Sequence, residues 1–185
     1  VIFRAAGLAG AWIVEPEPIE DERGFFARAF CARTFAERGL EPHLEQISVS
    51  YNRRAGTLRG LHLQRPPHVE AKLVRVTAGA VRDVIVDLRA GSTAYGQWIA
   101  VELSAENRCQ LYVPPGVAHG FQTLADRTEL AYHISAAYAP ASQDGVRFDD
   151  PDLAIDWPDR EGAIVSERDR ELPTFTAFRP IESVC

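Results

Sequence analysis

The chain has 185 residues, 46% apolar and 25% charged, a length and balance that close one core without a disulfide or metal staple. Twenty Lys and Arg against 26 Asp and Glu leave a formal charge of −6, so the molecule's field repels polyanions, no nucleic-acid partner is expected, and any phosphate must be met by a local cluster of cations. No run approaches the ~18 apolar residues of a membrane span, and Val1 to Gly7 has no basic stretch leading into an apolar one, so a cytoplasmic protein without a membrane partner is expected.

In chain order, the first predicted element is a short N-terminal helix, with Thr34 and Glu37 spaced as a capping box and Gly39 as its stop. From about residue 46 to 140, short runs of Val, Ile, Leu and Tyr are broken about every 8–12 residues by turn chemistry, the habit of a β-sandwich or barrel. Lys72–Val76 and Val81–Leu88 both alternate, and Thr77-Ala78-Gly79-Ala80 between them predicts a hairpin. Further strands are predicted over Gln97–Leu103, Cys109–Val113, Gly120–Leu124 and Thr128–Ile134. After Pro140 the chain is loop-rich, but its scattered Leu, Ile, Trp and Phe should pack on the sandwich, while Arg179–Cys185 is expected to fray. No linker or repeat divides it, so residues 1–185 are expected to form a single all-β domain.

Cys31, Cys109 and Cys185 are odd in number and far apart, which fits neither a disulfide framework nor a paired-thiolate zinc site. Arg59 and His62 stand among glycines and apolar residues in Gly56–Gln64, an unusual setting that makes His62 a candidate base. His119 follows the tight turn Pro114-Pro115-Gly116, 57 residues on, and two strand-end histidines converge readily in a barrel. Barrels of the cupin type commonly bind metal through such histidines, but the first motif reads His-x-Gln rather than His-x-His and the next carboxylate is Glu70, a weak ligand set. Lys72 shares a face with Val74 and Val76 and either snorkels at the rim or serves a cavity. Tyr132 shares a face with Leu130, where a core tyrosine is the plainer reading. No Walker loop, dinucleotide fingerprint, nucleophile elbow or H-E-x-x-H motif occurs, which removes support for phosphoryl transfer, dinucleotide redox chemistry and serine hydrolysis.

Taken in order, Asp21–Phe26, Leu58–His62, Ala71–Arg75, the run from Tyr95 to Asn107, Ala118–Phe121 and Ser166–Asp169 resemble the dTDP-4-dehydrorhamnose 3,5-epimerase family. The resemblance implies a cupin-type jelly roll, a homodimer, no metal or organic cofactor, and a nucleotide-linked, dTDP-type, 4-keto-6-deoxyhexose as substrate. It also implies His62 as general base oriented by Asp169, Tyr132 as acid on the opposite face, and Lys72 beside the substrate carbonyl. Arg23, Phe26, Gln46, Arg59, His119 and Arg168 match sugar or nucleotide contacts, Ser48 and Gln143 stand at two further such positions, and Tyr138 matches the aromatic that stacks on the base. The chain departs from the common pattern with Gln46-Ile47-Ser48 for Gln-x-Asn, Arg28 and Gln143 for glutamates, and one extra residue between Gln46 and His62. Chemistry explains the same cast. A proton beside a ketone becomes acidic only if the enolate is stabilised, so the site needs a base, a cation near the carbonyl oxygen and a second proton source across the ring. A sugar ketoisomerase, a metal-dependent cupin enzyme and a non-catalytic sugar-nucleotide-binding module are the alternatives.

Overall fold

The structure, a computed structural model, describes residues 1–182; Cys185 lies outside the described residues. Strands β1 (Ile2–Ala5), β2 (Trp12–Glu15), β3 (Ile19–Asp21) and β4 (Gly24–Phe26) precede a helix α1 (Ala32–Ala36). The body is β5 (Gln46–Asn52), β6 (Leu58–Gln64), β7 (Lys72–Ala78), β8 (Ala80–Asp87), β9 (Trp98–Ser104), β10 (Gln110–Val113), β11 (Val117–Thr123) and β12 (Thr128–Ile134). A 3-10 turn (Pro140–Ser142), β13 (Gln143–Gly145) and α2 (Glu167–Arg170) follow. One sheet runs β1-β2-β10-β7-β12-β5 and the other β13-β6-β11-β8-β9, while β3 and β4 form a separate ribbon. This is the all-β jelly roll expected.

Burial explains the composition of the strands. Between the sheets, Val74, Val76, Leu111 and Leu130 pack against Val81, Ile85, Leu103 and Phe121. The other face of the five-stranded sheet is also covered: Leu61, Leu63, Val84, Val86 and Ala118 meet Val146, Phe148, Leu153, Trp157, Phe178 and Ile181 of the C-terminal segment. Strand β8 therefore reads as a nearly continuous apolar run, as strands buried on both faces do. Phe35 of α1, fully buried, closes the outside of the six-stranded sheet against Leu73 and Tyr112.

Several local expectations are corrected. The hairpin between β7 and β8 does not form: β7 pairs with β10 and β12, β8 with β9 and β11. Gly79, at φ +75°, instead carries the chain from one sheet to the other, and a Cβ there would lie 2.3 Å from Thr128 Oγ1. Thr34 does not cap α1. It lies inside the helix, Cys31 occupies the N-cap without a side-chain bond, and Glu37 is at the C-cap, although the Gly39 amide does end the helix on the Ala36 carbonyl. His119 sits mid-strand rather than at a strand mouth, because the turn at Pro114–Gly116 closes early enough for β11 to begin at Val117. The tail is anchored as far as Ile181, which is buried and exchanges backbone bonds with Leu88 and Ala90.

Gly60 governs how closely β6 approaches β11. It has φ +123°, and a Cβ would stand 2.5 Å from the Gly120 Cα and 2.8 Å from the His119 carbonyl oxygen, with backbone on both counts. Gly60→Ala is expected to cost about 2–5 kcal/mol from combined φ strain and overpacking. Urea unfolding measures this; a loss under ~0.5 kcal/mol would contradict the close packing described.

Candidate active site

A cavity of about 530 Å³ opens between the two sheets. Its walls follow from register. Paired residues of adjacent antiparallel strands share a face, so Lys72, Val74, Tyr132, Ile134, Gln46 and Ser48 all point inward from the six-stranded sheet. On the opposing sheet His62 of β6 is directly opposite His119 of β11.

His62 Nε2 lies 2.9 Å from Asp169 Oδ1, and the Gly60 amide donates to Asp169 Oδ2 at 3.0 Å. Asp169 reaches this position on α2, whose N-cap Ser166 accepts from the Asp169 amide. Burial pushes the Asp169 carboxyl up, but the bonds and charge of His62, with those from Gly60 and Ser166, outweigh it and hold the group below its usual range. An ionised carboxylate only accepts, so Nε2 of His62 carries the hydrogen of this bond, and Nδ1 is the ring nitrogen that Asp169 does not engage.

His119 Nε2 is 2.9 Å from both carboxylate oxygens of fully buried Asp83. Burial raises the Asp83 carboxyl despite the opposing charges of His119 and Lys72. The His119 ring meets Tyr132 edge-on, centroids 5.8 Å apart. Burial, reinforced by the negative Asp83, pushes the Tyr132 phenol well up, with Arg59 opposing, so the hydroxyl keeps its proton. Lys72 Nζ is 3.0 Å from Glu70 Oε1 and donates to the His62 carbonyl at 3.2 Å.

At the mouth, Gln46 donates to Ser48 Oγ at 3.2 Å and its carbonyl accepts the Tyr138 amide at 2.8 Å. The Tyr138 hydroxyl donates to Gln143 Oε1 at 2.5 Å, and Arg59 Nε donates to Asn52 Oδ1 at 2.9 Å. Arg168 also lines the cavity. Eleven of the thirteen residues named from the sequence are thus brought together. Arg23 and Phe26 are not: they lie on the β3–β4 ribbon outside the cavity, Arg23 paired with Asp21 at 2.5 Å and Phe26 76% exposed. Glu70, Asp83 and Asn52 were not singled out as site residues. The signal for Asp83 is a charge inside the apolar run of β8, and for Glu70 its place two residues before Lys72. Among the described residues, no group of three His, Cys, Asp or Glu side chains converges as metal ligands, and no helix is long and apolar enough to cross a membrane.

Fold and cavity define a class, the jelly-roll isomerases of nucleotide-linked sugars. The profile of the dTDP-4-dehydrorhamnose 3,5-epimerase family matches residues 5–177, and the chain belongs to that family. The Methanothermobacter thermautotrophicus dTDP-4-dehydrorhamnose 3,5-epimerase is 45% identical over 170 residues, 91% of each chain. The crystal structure of the Elizabethkingia anophelis enzyme superposes with a TM-score of 0.92 at 42% identity, over 95% of this chain and 96% of that one. The Legionella pneumophila dTDP-6-deoxy-D-glucose-3,5-epimerase, solved in complex with dTDP-4-keto-L-rhamnose, gives 0.92 at 36% identity over 100% and 99%.

The depressed Asp169 carboxyl sets a pH dependence. Its contribution to stability is present above the unfolded carboxylate value, ~3.9, and is lost as pH falls through the lower folded value. Asp169→Asn should cost about 1–3 kcal/mol at neutral pH, and the gap from wild type should narrow below about pH 4. Urea unfolding of both proteins at pH 7 and pH 3.5 checks this; a gap that widens at the lower pH would contradict it.

Proposed function

We propose that this chain epimerises a dTDP-linked 4-keto-6-deoxyhexose at carbon adjacent to the ketone, through an enolate. The observation that carries this reading is the division of the cavity: His62, with Asp169 of α2 bonded to its ring, stands on one sheet, Tyr132 and Lys72 on the other. In our reading His62 Nδ1 takes the proton from C3 or C5, and the electron pair of that C–H bond passes into the enolate. The Lys72 ammonium meets the charge on the C4 oxygen. Tyr132 then gives its hydroxyl proton to the opposite face, inverting the centre. Asp169 stabilises the imidazolium, and both groups are restored by exchange with water.

Arg59 and Arg168 are proposed to hold the diphosphate, as a net charge of −6 requires of local cations. Tyr138 is proposed to stack on the base, with Gln46, Ser48, His119 and Gln143 as sugar or nucleotide contacts. With Lys72 meeting the enolate charge, the reaction proposed needs no metal. We further propose a homodimer, in which the exposed ribbon bearing Ile19, Phe25 and Phe26 and the exposed Ile47, Val49 and Tyr51 of β5 are covered by a second copy. Arg23 and Phe26 then reach the partner's cavity.

Incubated with dTDP-4-keto-6-deoxyglucose in deuterated water, the protein should place deuterium at C3, C5 or both with inversion, the carbonyl remaining at C4. Migration of the carbonyl to C3, read by NMR, would make it a ketoisomerase, and absence of label a binding module. Activity should survive exhaustive chelation; dependence on added iron, manganese or zinc would restore the metal-dependent reading. His62→Ala should slow exchange at least ~100-fold while calorimetry shows dTDP affinity near wild type. Persistent exchange would place the base elsewhere.

A further inference from the structure

Glu70 precedes β7 and is among the few carboxylates on this chain that are almost fully buried, its side chain 4% exposed. A charge so placed must have its oxygens satisfied. Oε1 lies 3.0 Å from Lys72 Nζ, and Oε2 accepts the backbone N–H of Gln64 at 3.1 Å. Gln64 belongs to the sheet that carries His62, and Lys72 to the sheet that carries Tyr132. The carboxylate therefore spans the two sheets beside the cavity.

Lysine is a point charge on a long flexible stem, and an ammonium has three hydrogens to place. Here Glu70 takes one and the His62 carbonyl, at 3.2 Å, takes a second, which leaves one for the cavity that Lys72 lines. Cohesion alone does not call for this arrangement, since a buried ion pair rarely stabilises a fold more than an apolar pair of the same volume. We infer that Glu70 is a positioning residue for the epimerisation: it fixes the Lys72 ammonium so that its one free N–H is aimed at the enolate oxygen, and ties it to the strand that bears the base. This rests on the function proposed above.

Glu70→Gln has a single acceptor oxygen, which serves Lys72 or the Gln64 amide but not both. Turnover and deuterium exchange should fall about 10- to 100-fold, the scale of a misplaced catalytic group, while KM and dTDP affinity stay near wild type. Wild-type kcat in a folded Glu70→Gln protein would overturn the inference, and so would a loss of dTDP affinity equal to the loss of kcat, which marks a merely structural residue. If Glu70→Gln does not unfold cooperatively, Glu70→Asp, which keeps the charge on a shorter stem, decides by the same comparison of kcat with affinity. Wild-type protein is assayed first: absence of exchange there defeats the epimerase reading itself, before any variant is compared.

Discussion

Asp169 accepts bonds from the His62 ring and the Gly60 amide, groups 107 and 109 residues earlier in the chain. The rest of the site depends on that reach. A four-residue helix has little stability of its own, so α2 must be held in place by its surroundings. Ser166 caps it, and the C-terminal segment around it is glued by Val146, Phe148, Trp157 and Phe178 to the outer face of the five-stranded sheet. The apolar residues after Pro140 thus position a carboxylate. Gly60 completes the arrangement, because its missing side chain lets β6 and β11 close and its amide takes the second carboxylate oxygen.

The two walls of the cavity are tuned in opposite senses. Asp169 is held below its usual range by its hydrogen-bond donors, and as an acceptor it takes the hydrogen on His62 Nε2. Across the cavity, burial and the charge of Asp83 keep the Tyr132 phenol protonated. In the mechanism proposed, the first wall takes a proton and the second returns one, and a base and an acid on two faces is what inversion requires. Lys72 stands on the same sheet as Tyr132, with two of its three hydrogens engaged by Glu70 Oε1 and the His62 carbonyl.

The apolar patterning of the sequence discloses β7 to β12, six of the thirteen strands among the described residues, and the faces that Lys72 and Tyr132 share with apolar neighbours, because period-two patterning reports which side of a strand is buried. It says nothing about partners, and for that reason β7 and β8, joined by one turn, read as a hairpin while lying in different sheets. The capping box does not form because α1 starts at Ala32, which puts Thr34 inside the helix and Glu37 at its C-cap. His62 and His119 stood out by their glycine-rich and apolar surroundings. Asp169, Tyr138 and Gln143 carry no local signal and enter by resemblance; Asp169 and Tyr138 meet His62 and Gln46, 107 and 92 residues earlier in the chain. Glu70 enters the sequence reading only as a weak metal ligand and Asp83 not at all, because a carboxylate reads as surface until its burial is seen.

The central claim is that proton removal and proton return occur from different sheets. Tyr132→Phe in deuterated water tests it most directly, because His62 and Lys72 remain to form the enolate while the far-face donor is gone. The imidazole then returns a solvent-derived deuteron to the face it came from. The account predicts substrate that gains deuterium at the carbon served by Tyr132 yet keeps its configuration there. Inversion at the wild-type rate would remove the phenol from the mechanism and contradict the account.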